Sequence, residues 1–211
     1  QAFEEWQTCI LGSENNSEKM YELALNVTKG LRPSIPETHR LLQKYINDKT
    51  QILHIGDFIS AMYNQSEENL IIYDSTLSPS LSIFPSWQAD GLQELGLPPW
   101  RLGSRLLSNK TFVNRGRIGR YAGQYAKGLV INYEEGGILL GDGIEGTVLN
   151  FGNGIAIGYG AKGTVINFGN ATTRMADDAE GTVIAFRDPD NFGQLSECCF
   201  FLNEQRSQER L

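Results

Sequence analysis

Apolar residues change their spacing once along this chain, and the change divides it. Through the first half they recur at helical intervals. "EKMYELALNVTKG", which follows Ser17, places Met20, Leu23, Ala24 and Val27 on one face, and Gly30 closes the run at a C′ position. Pro33 and Pro36 stop its continuation. Ser34 and Glu37 then have the spacing of a capping box ahead of "THRLLQKYIN", whose stripe is Leu41, Leu42, Tyr45 and Ile46. A third helix is predicted from Asp48 or Thr50 onward, carrying Ile52, Leu53, Ile55, Phe58, Ile59 and Met62. Three short helices sharing one core are expected.

From Leu70 the helical spacing ends. "LIIY" is a short apolar run, and the thirty residues after it are rich in serine and contain Pro79, Pro85, Pro98 and Pro99. Trp87, Leu92, Leu95, Leu97 and Trp100 make this stretch too apolar for a free linker, so it is expected to pack on the rest of the protein.

The second half repeats itself. "KGLVINYEE", "EGTVLNFGN", "KGTVINFGN" and "EGTVIAFRD" follow a worn copy, "NKTFVNRGR", at intervals of 18, 18, 17 and 18 residues counted from Lys110 through Gly128, Gly146, Gly163 and Gly181. A unit this short cannot bury its own apolar face and must lie on its neighbours. Aligned by the period, the residues form columns: Phe112, Val130, Val148, Val165, Val183; then Val113, Ile131, Leu149, Ile166, Ile184; then Asn114, Asn132, Asn150, Asn167, Ala185; then Arg115, Tyr133, Phe151, Phe168, Phe186. Stacked about 4.8 Å apart, the Val, Ile and Phe columns are expected to build the core and the Asn column a ladder of side-chain amides. Ahead of each strand stand Lys127, Glu145, Lys162 and Glu180. That alternation gives each charge opposite neighbours and favours one register.

The expected fold is therefore α+β. A helical domain with its Pro/Ser-rich segment spans 1–107, and a parallel, right-handed β-helix of about five 18-residue coils spans 108–211. Cys198, Cys199, Phe200, Phe201 and Leu202 supply an apolar cap over the last coil.

Two coils spell the dinucleotide fingerprint G-x-G-x-x-G, at Gly141, Gly143, Gly146 and at Gly158, Gly160, Gly163. Phosphate binding by that motif needs a helix after the glycines, and here "TVLNF" and "TVINF" follow instead. The glycines are read as solenoid corners, where backbones approach closely. With "IGRYAGQYAKG" (Gly119, Gly123, Gly128), these corners make residues from about 110 to 192 resemble the glycine-rich GXGXG β-helix, a module of the glutamate synthase large subunit and of a formylmethanofuran dehydrogenase subunit. The resemblance implies a structural, domain-docking role without a catalytic set. Ala176, Asp177 and Asp178 replace the glycines in the last coil, and the first half has no counterpart in that family.

Chemistry is sparse. Asp142 and Asp177 share a column with Gln124 and Tyr159, the kind of carboxylate arrangement that carbohydrate-active β-helices use, and Glu134, Glu135, Asp188 and Asp190 line a neighbouring corner. His54 and Asp57 form an i, i+3 pair. These four residues, Asp142, Asp177, His54 and Asp57, are the catalytic candidates; a solvated acidic corner and a helix-surface hydrogen bond explain them more simply. No cofactor or metal is expected. A net charge of -7 argues against nucleic acid, and no stretch approaches the roughly 20 apolar residues of a membrane helix. Three cysteines suit a reducing compartment, hence the cytoplasm, although Asn15, Asn26, Asn64, Asn109 and Asn170 each begin a glycosylation sequon. The expected function is non-catalytic assembly through a protein partner or self-association, with Phe84 to Trp100 as one contact candidate; carbohydrate binding is the alternative.

Overall fold

A computed structural model describes residues 2–10, 16–31, 37, 40, 55–73, 100–134, 137–170, 175–186 and 199–201. Among them are three helices, α1 (Ala2–Ile10), α2 (Ser17–Val27) and α3 (Ile55–Gln65). Seven strands follow: β1 (Leu70–Tyr73), β2 (Thr111–Asn114), β3 (Leu129–Asn132), β4 (Thr147–Asn150), β5 (Thr164–Asn167), β6 (Thr182–Ala185) and β7 (Cys199–Phe201). All pair in parallel in chain order, making a β-solenoid of about four turns behind the helices, in agreement with the α+β expectation. The helix expected over 38–47 lies, apart from Arg40, outside the described residues.

The columns align as the period requires. Phe112 pairs with Val130, Val130 with Val148, Val148 with Val165 and Val165 with Val183, and the Asn column keeps the same register. Strand pleating then sorts the columns by face. The Val column is fully buried, and so are Asn114, Asn132, Asn150 and Asn167. Ile131, Leu149, Ile166 and Ile184 are only half-buried, while Tyr133, Phe151 and Phe186 are exposed. The Ile and aromatic columns therefore do not belong to the core. Successive side chains point to opposite faces, and the inner positions after Val are taken by Asn.

Two further walls complete the core, Ala122, Leu140, Ile157 and Met175 on one corner and Ala126, Ile144, Ala161 and Ala179 on the next. Within the Asn wall, Asn114 donates to Asn132 at 2.5 Å, Asn132 to Asn150 at 2.6 Å and Asn150 to Asn167 at 2.6 Å. The second amide hydrogen of each of the last three goes to a carbonyl two residues on, that of Glu134, Gly152 or Gly169. A buried amide is tolerated because its donors and acceptor are used.

The glycine-rich segments are corners. Gly123, Gly141 and Gly158 hold left-handed φ angles of +68°, +69° and +69° and seat their bare α-carbons on Val130, Val148 and Val165. No helix follows them, so the nucleotide fingerprint has no phosphate-binding dipole.

The helices close the β1 end of the stack. Phe3, Trp6, Met20, Ala24 and Phe58 form one core with it, Phe3 meeting Phe58 edge-on at 5.0 Å, and Trp6 Nε1 donates to the Met20 carbonyl at 2.9 Å. Asn16 caps α2, its Oδ1 accepting from the Glu18 and Lys19 amides. From α3, the Asn64 amide donates to Tyr21 Oη and the Arg105 carbonyl, and Asn64 Oδ1 accepts from the Leu107 amide. Asn64 is thereby buried and fully used, which leaves its sequon no room for a glycan in this fold. An open solenoid end would expose its core, and α3 covers the first corner, its Ser60, Asn64 and Asp57 bonding to Arg101, Ser104, Arg105 and Leu107.

Candidate functional site on the outer sheet face

The outward positions of β3 to β6 compose one surface. Its columns are Leu129, Thr147, Thr164, Thr182; then Ile131, Leu149, Ile166, Ile184; then Tyr133, Phe151, Phe168, Phe186 immediately after the strands. The aromatic rings stack coil upon coil. Centroids lie 5.2, 4.9 and 4.5 Å apart with interplanar angles of 9°, 3° and 12°. The Arg115 guanidinium lies 5.9 Å from the Tyr133 centroid and ends the ladder. Near-parallel rings mean that successive coils barely rotate, so the sheet is flat here, unlike ordinary twisted sheets. Each ring spends its π-face on its neighbours and presents its edge to solvent.

Lys127, Glu145, Lys162 and Glu180, all exposed, border this face on the side where the chain enters each strand. Lys127 Nζ lies 3.3 Å from Glu145, as the alternation requires. The result is a flat, apolar, rigid surface with a charged edge. Exposed large apolar groups gathered in this way mark interaction surfaces more than isolated exposed residues do.

The acidic candidates are elsewhere. Asp142, Tyr159 and Asp177 do share a corner column with Gln124 and Ser104, as the pairing of Tyr125, Gly143 and Gly160 amides with Asp142, Tyr159 and Asp177 carbonyls shows. Gln124 Nε2 donates to Asp142 Oδ2 at 2.6 Å. Burial pushes the Asp142 carboxyl up, and the Gln124 bond partly offsets it. A hydrogen bond with Asp178, reinforced by the charge of that carboxylate, raises the Tyr159 hydroxyl. Asp177 Oδ1 is buried without a hydrogen-bond partner. Two carboxylates of this column are two coils apart, about 10 Å by stacking, with Tyr159 in the coil between them. Of the neighbouring acidic corner, Glu134 is exposed, whereas Glu135, Asp188 and Asp190 fall outside the described residues.

Asp57 is a structural anchor. It is buried, with Oδ2 3.1 Å from Arg101 Nη1 and Oδ1 accepting from Ser104 Oγ at 3.3 Å, so it joins α3 to the first corner. Its intended companion His54 lies outside the described residues, as does the contact candidate over 84–99; Trp100 is half-buried under the Arg120 guanidinium. Burial pushes Asp57 up from its ordinary 3.8 to about 6, against the pull of Arg101. A carboxyl whose folded value is raised contributes stability that is complete below the unfolded value and is lost as pH rises through the folded one. The wild type should therefore lose stability relative to Asp57→Asn between about pH 4 and pH 7. Urea unfolding of the two proteins at both pH values measures this, and a difference of opposite slope would refute it.

No group of three His, Cys, Asp or Glu that could hold a metal occurs among the described residues, and none of their helices is long and apolar enough to cross a membrane. A groove of about 760 Å³ between α2, α3 and the first corners is lined by Tyr21, Asn64, Arg105, Lys127 and Glu145. Its cations are engaged, Arg105 lying 5.4 and 5.3 Å from the Tyr21 and Tyr125 ring centroids and Lys127 pairing with Glu145.

No family model matches this chain, and comparisons with curated proteins and with solved structures give no match. The resemblance to the glutamate synthase and formylmethanofuran dehydrogenase modules thus has no family match behind it, and what stands is the parallel β-solenoid itself.

Proposed function

We propose that this protein is a non-catalytic interaction module, in which the solenoid holds a flat apolar face for another protein surface to cover. The observation that carries the reading is the outward ladder of exposed Tyr133, Phe151 and Phe186 with half-buried Phe168, set on a register that the buried Asn column keeps rigid. Rigid aromatic side chains lose little conformational entropy on being covered and contribute large contact areas. Carbohydrate binding is less well supported at this face, because sugar rings stack on aromatic faces and these faces are already occupied by one another. At the acidic column it would have to use Asp142 and Asp177, of which Asp142 is bonded to Gln124.

A photoreactive phenylalanine analogue at Phe151 should cross-link to protein in the native cell extract, whereas the same analogue at Gly160, on a corner, should not. Equal yields at the two positions, or none at either, would contradict the reading.

A further inference from the structure

We infer that the occupant of the outer face is a second copy of this chain, bound face to face with its solenoid axis reversed, about a two-fold axis parallel to the strands. The inference rests on the interaction-module reading above and specifies its partner.

It follows from the order of charges at the edge of the face. The column reads Lys127, Glu145, Lys162, Glu180. A two-fold parallel to the strands, passing between β4 and β5, lays this column on its own reverse. Lys127 then faces Glu180 of the partner subunit and Glu145 faces Lys162 of the partner subunit, and symmetry repeats each pair. An alternating column with an even number of members is complementary to its own reverse, whereas an odd one would set like charges together. Isologous interfaces demand this self-complementarity.

The apolar columns comply with the same operation. Phe151 meets Phe168 of the partner subunit, Tyr133 meets Phe186 of the partner subunit, and Leu149 meets Ile166 of the partner subunit. The small interplanar angles within each ladder let two such faces meet flat.

The other face-to-face two-fold, parallel to the solenoid axis, does not work. It reverses strand direction and lays each charged column across the partner's aromatic column, so that no charge meets an opposite charge of the partner and the charged heads lose water to rings. A width of seven residues and a height of four to five rungs gives about 500 Å² per copy, or about 1,000 Å² in all, at the lower limit of specific interfaces. The expected dimer is accordingly of micromolar affinity rather than obligate.

Sedimentation equilibrium of the full chain tests this, with thermal unfolding as a check that each variant is folded. The wild type should show a monomer–dimer equilibrium. Glu145→Lys places a lysine opposite Lys162 of the partner subunit twice per dimer and should weaken association about tenfold or more. Adding Lys162→Glu restores the cross-interface pairs and should recover most of the affinity, even though the column within each chain then runs Lys, Lys, Glu, Glu. A role confined to the register within one chain predicts no recovery, because the single and the double variant each leave two like-charged neighbours and one opposite pair in the column. A wild type that stays monomeric into the high micromolar range, or a double variant that associates no more strongly than Glu145→Lys alone, would overturn the inference. Should the wild type be monomeric while the Phe151 probe still cross-links to a different protein, the second copy is wrong and the interaction module stands.

Discussion

Asn150→Leu is expected to cost about 3 to 5 kcal/mol of folding stability, a large part of what a domain of this size possesses. The replacement is close in shape and fully apolar, at a buried site, yet the expected effect is strongly unfavourable. Asn150 accepts from Asn132 Nδ2 at 2.6 Å and donates to Asn167 Oδ1 at 2.6 Å and to the Gly152 carbonyl at 2.8 Å. Leucine leaves the acceptors of Asn167 and Gly152 without these donors and costs Asn132 one of its two acceptors. A buried polar group deprived of its partner costs about 1 to 3 kcal/mol.

The position within the ladder should matter. Asn167 is its last member, followed by Ala185 in the same column, and among the described residues its amide donates to Gly169 and to Met175 Sδ, the latter at 3.7 Å. Asn167→Ala should therefore cost roughly half as much as the change at Asn150. Urea unfolding of both variants checks the ratio, and equal small losses would show that the amides are not acting as a chain.

The second large effect is expected at a glycine with an ordinary φ. Gly146→Ala places a Cβ 2.1 Å from the Gly128 carbonyl oxygen and 2.5 Å from the Lys127 carbonyl group of the preceding coil. Those atoms are backbone held in the stack and cannot swing aside. Glycine to alanine at a permissive site stabilises a protein by restricting its unfolded chain. Here the sign reverses, and a loss of about 3 kcal/mol is expected, at the upper end of overpacking costs.

Gly160→Ala is the internal comparison. Gly160 has a φ of +57° but no atom nearer than 4.0 Å to the added carbon. Its cost is the left-handed strain alone, about 1 to 2 kcal/mol. Its column carries Arg105, Tyr125 and Asp178 at φ of 52°, 54° and 55°, so side chains are accepted there. Were Gly160→Ala the more damaging of the two, close approach between coils would not be what the glycine column serves.

What the repeat could reveal, it revealed well. The register of β2 to β6, the amide ladder and the corner role of the glycines all follow from residues that recur at one period, because stacking places equivalent positions in contact. The faces were harder to read. Asn occupies the inward position that a pleated strand normally gives to an apolar residue, so the sequence assigns Val, Ile and Phe together to the core and Asn to an amide ladder of unspecified face. Only the geometry shows Val and Asn inside, with Ile and Phe outside. The candidate surface was hidden by that reversal.

Elements outside the period were less legible for a different reason. β1 precedes β2 by 41 residues, as Leu70 pairs with Thr111, so no search at 18 could connect them. Helix α1 spans only nine residues, about two and a half turns, too short for a strong periodic signal. Its signal was Phe3, Trp6 and Ile10 at i, i+3 and i+7, of which Phe3 and Trp6 prove buried.

The central claim is that the outer face is covered when the protein works. Hydroxyl-radical footprinting measures this directly, because the molecule contains its own reference: Tyr133, Phe151 and Phe186 are 46%, 42% and 40% exposed, and Tyr125, on a corner, is 43% exposed. Equal exposure in the isolated chain predicts similar oxidation of all four once ring type is allowed for. With rising protein concentration, the three face residues should become protected while Tyr125 does not. If Tyr133 and Tyr125 remain equally oxidised at every concentration and in the native extract alike, the face is not covered and the account fails.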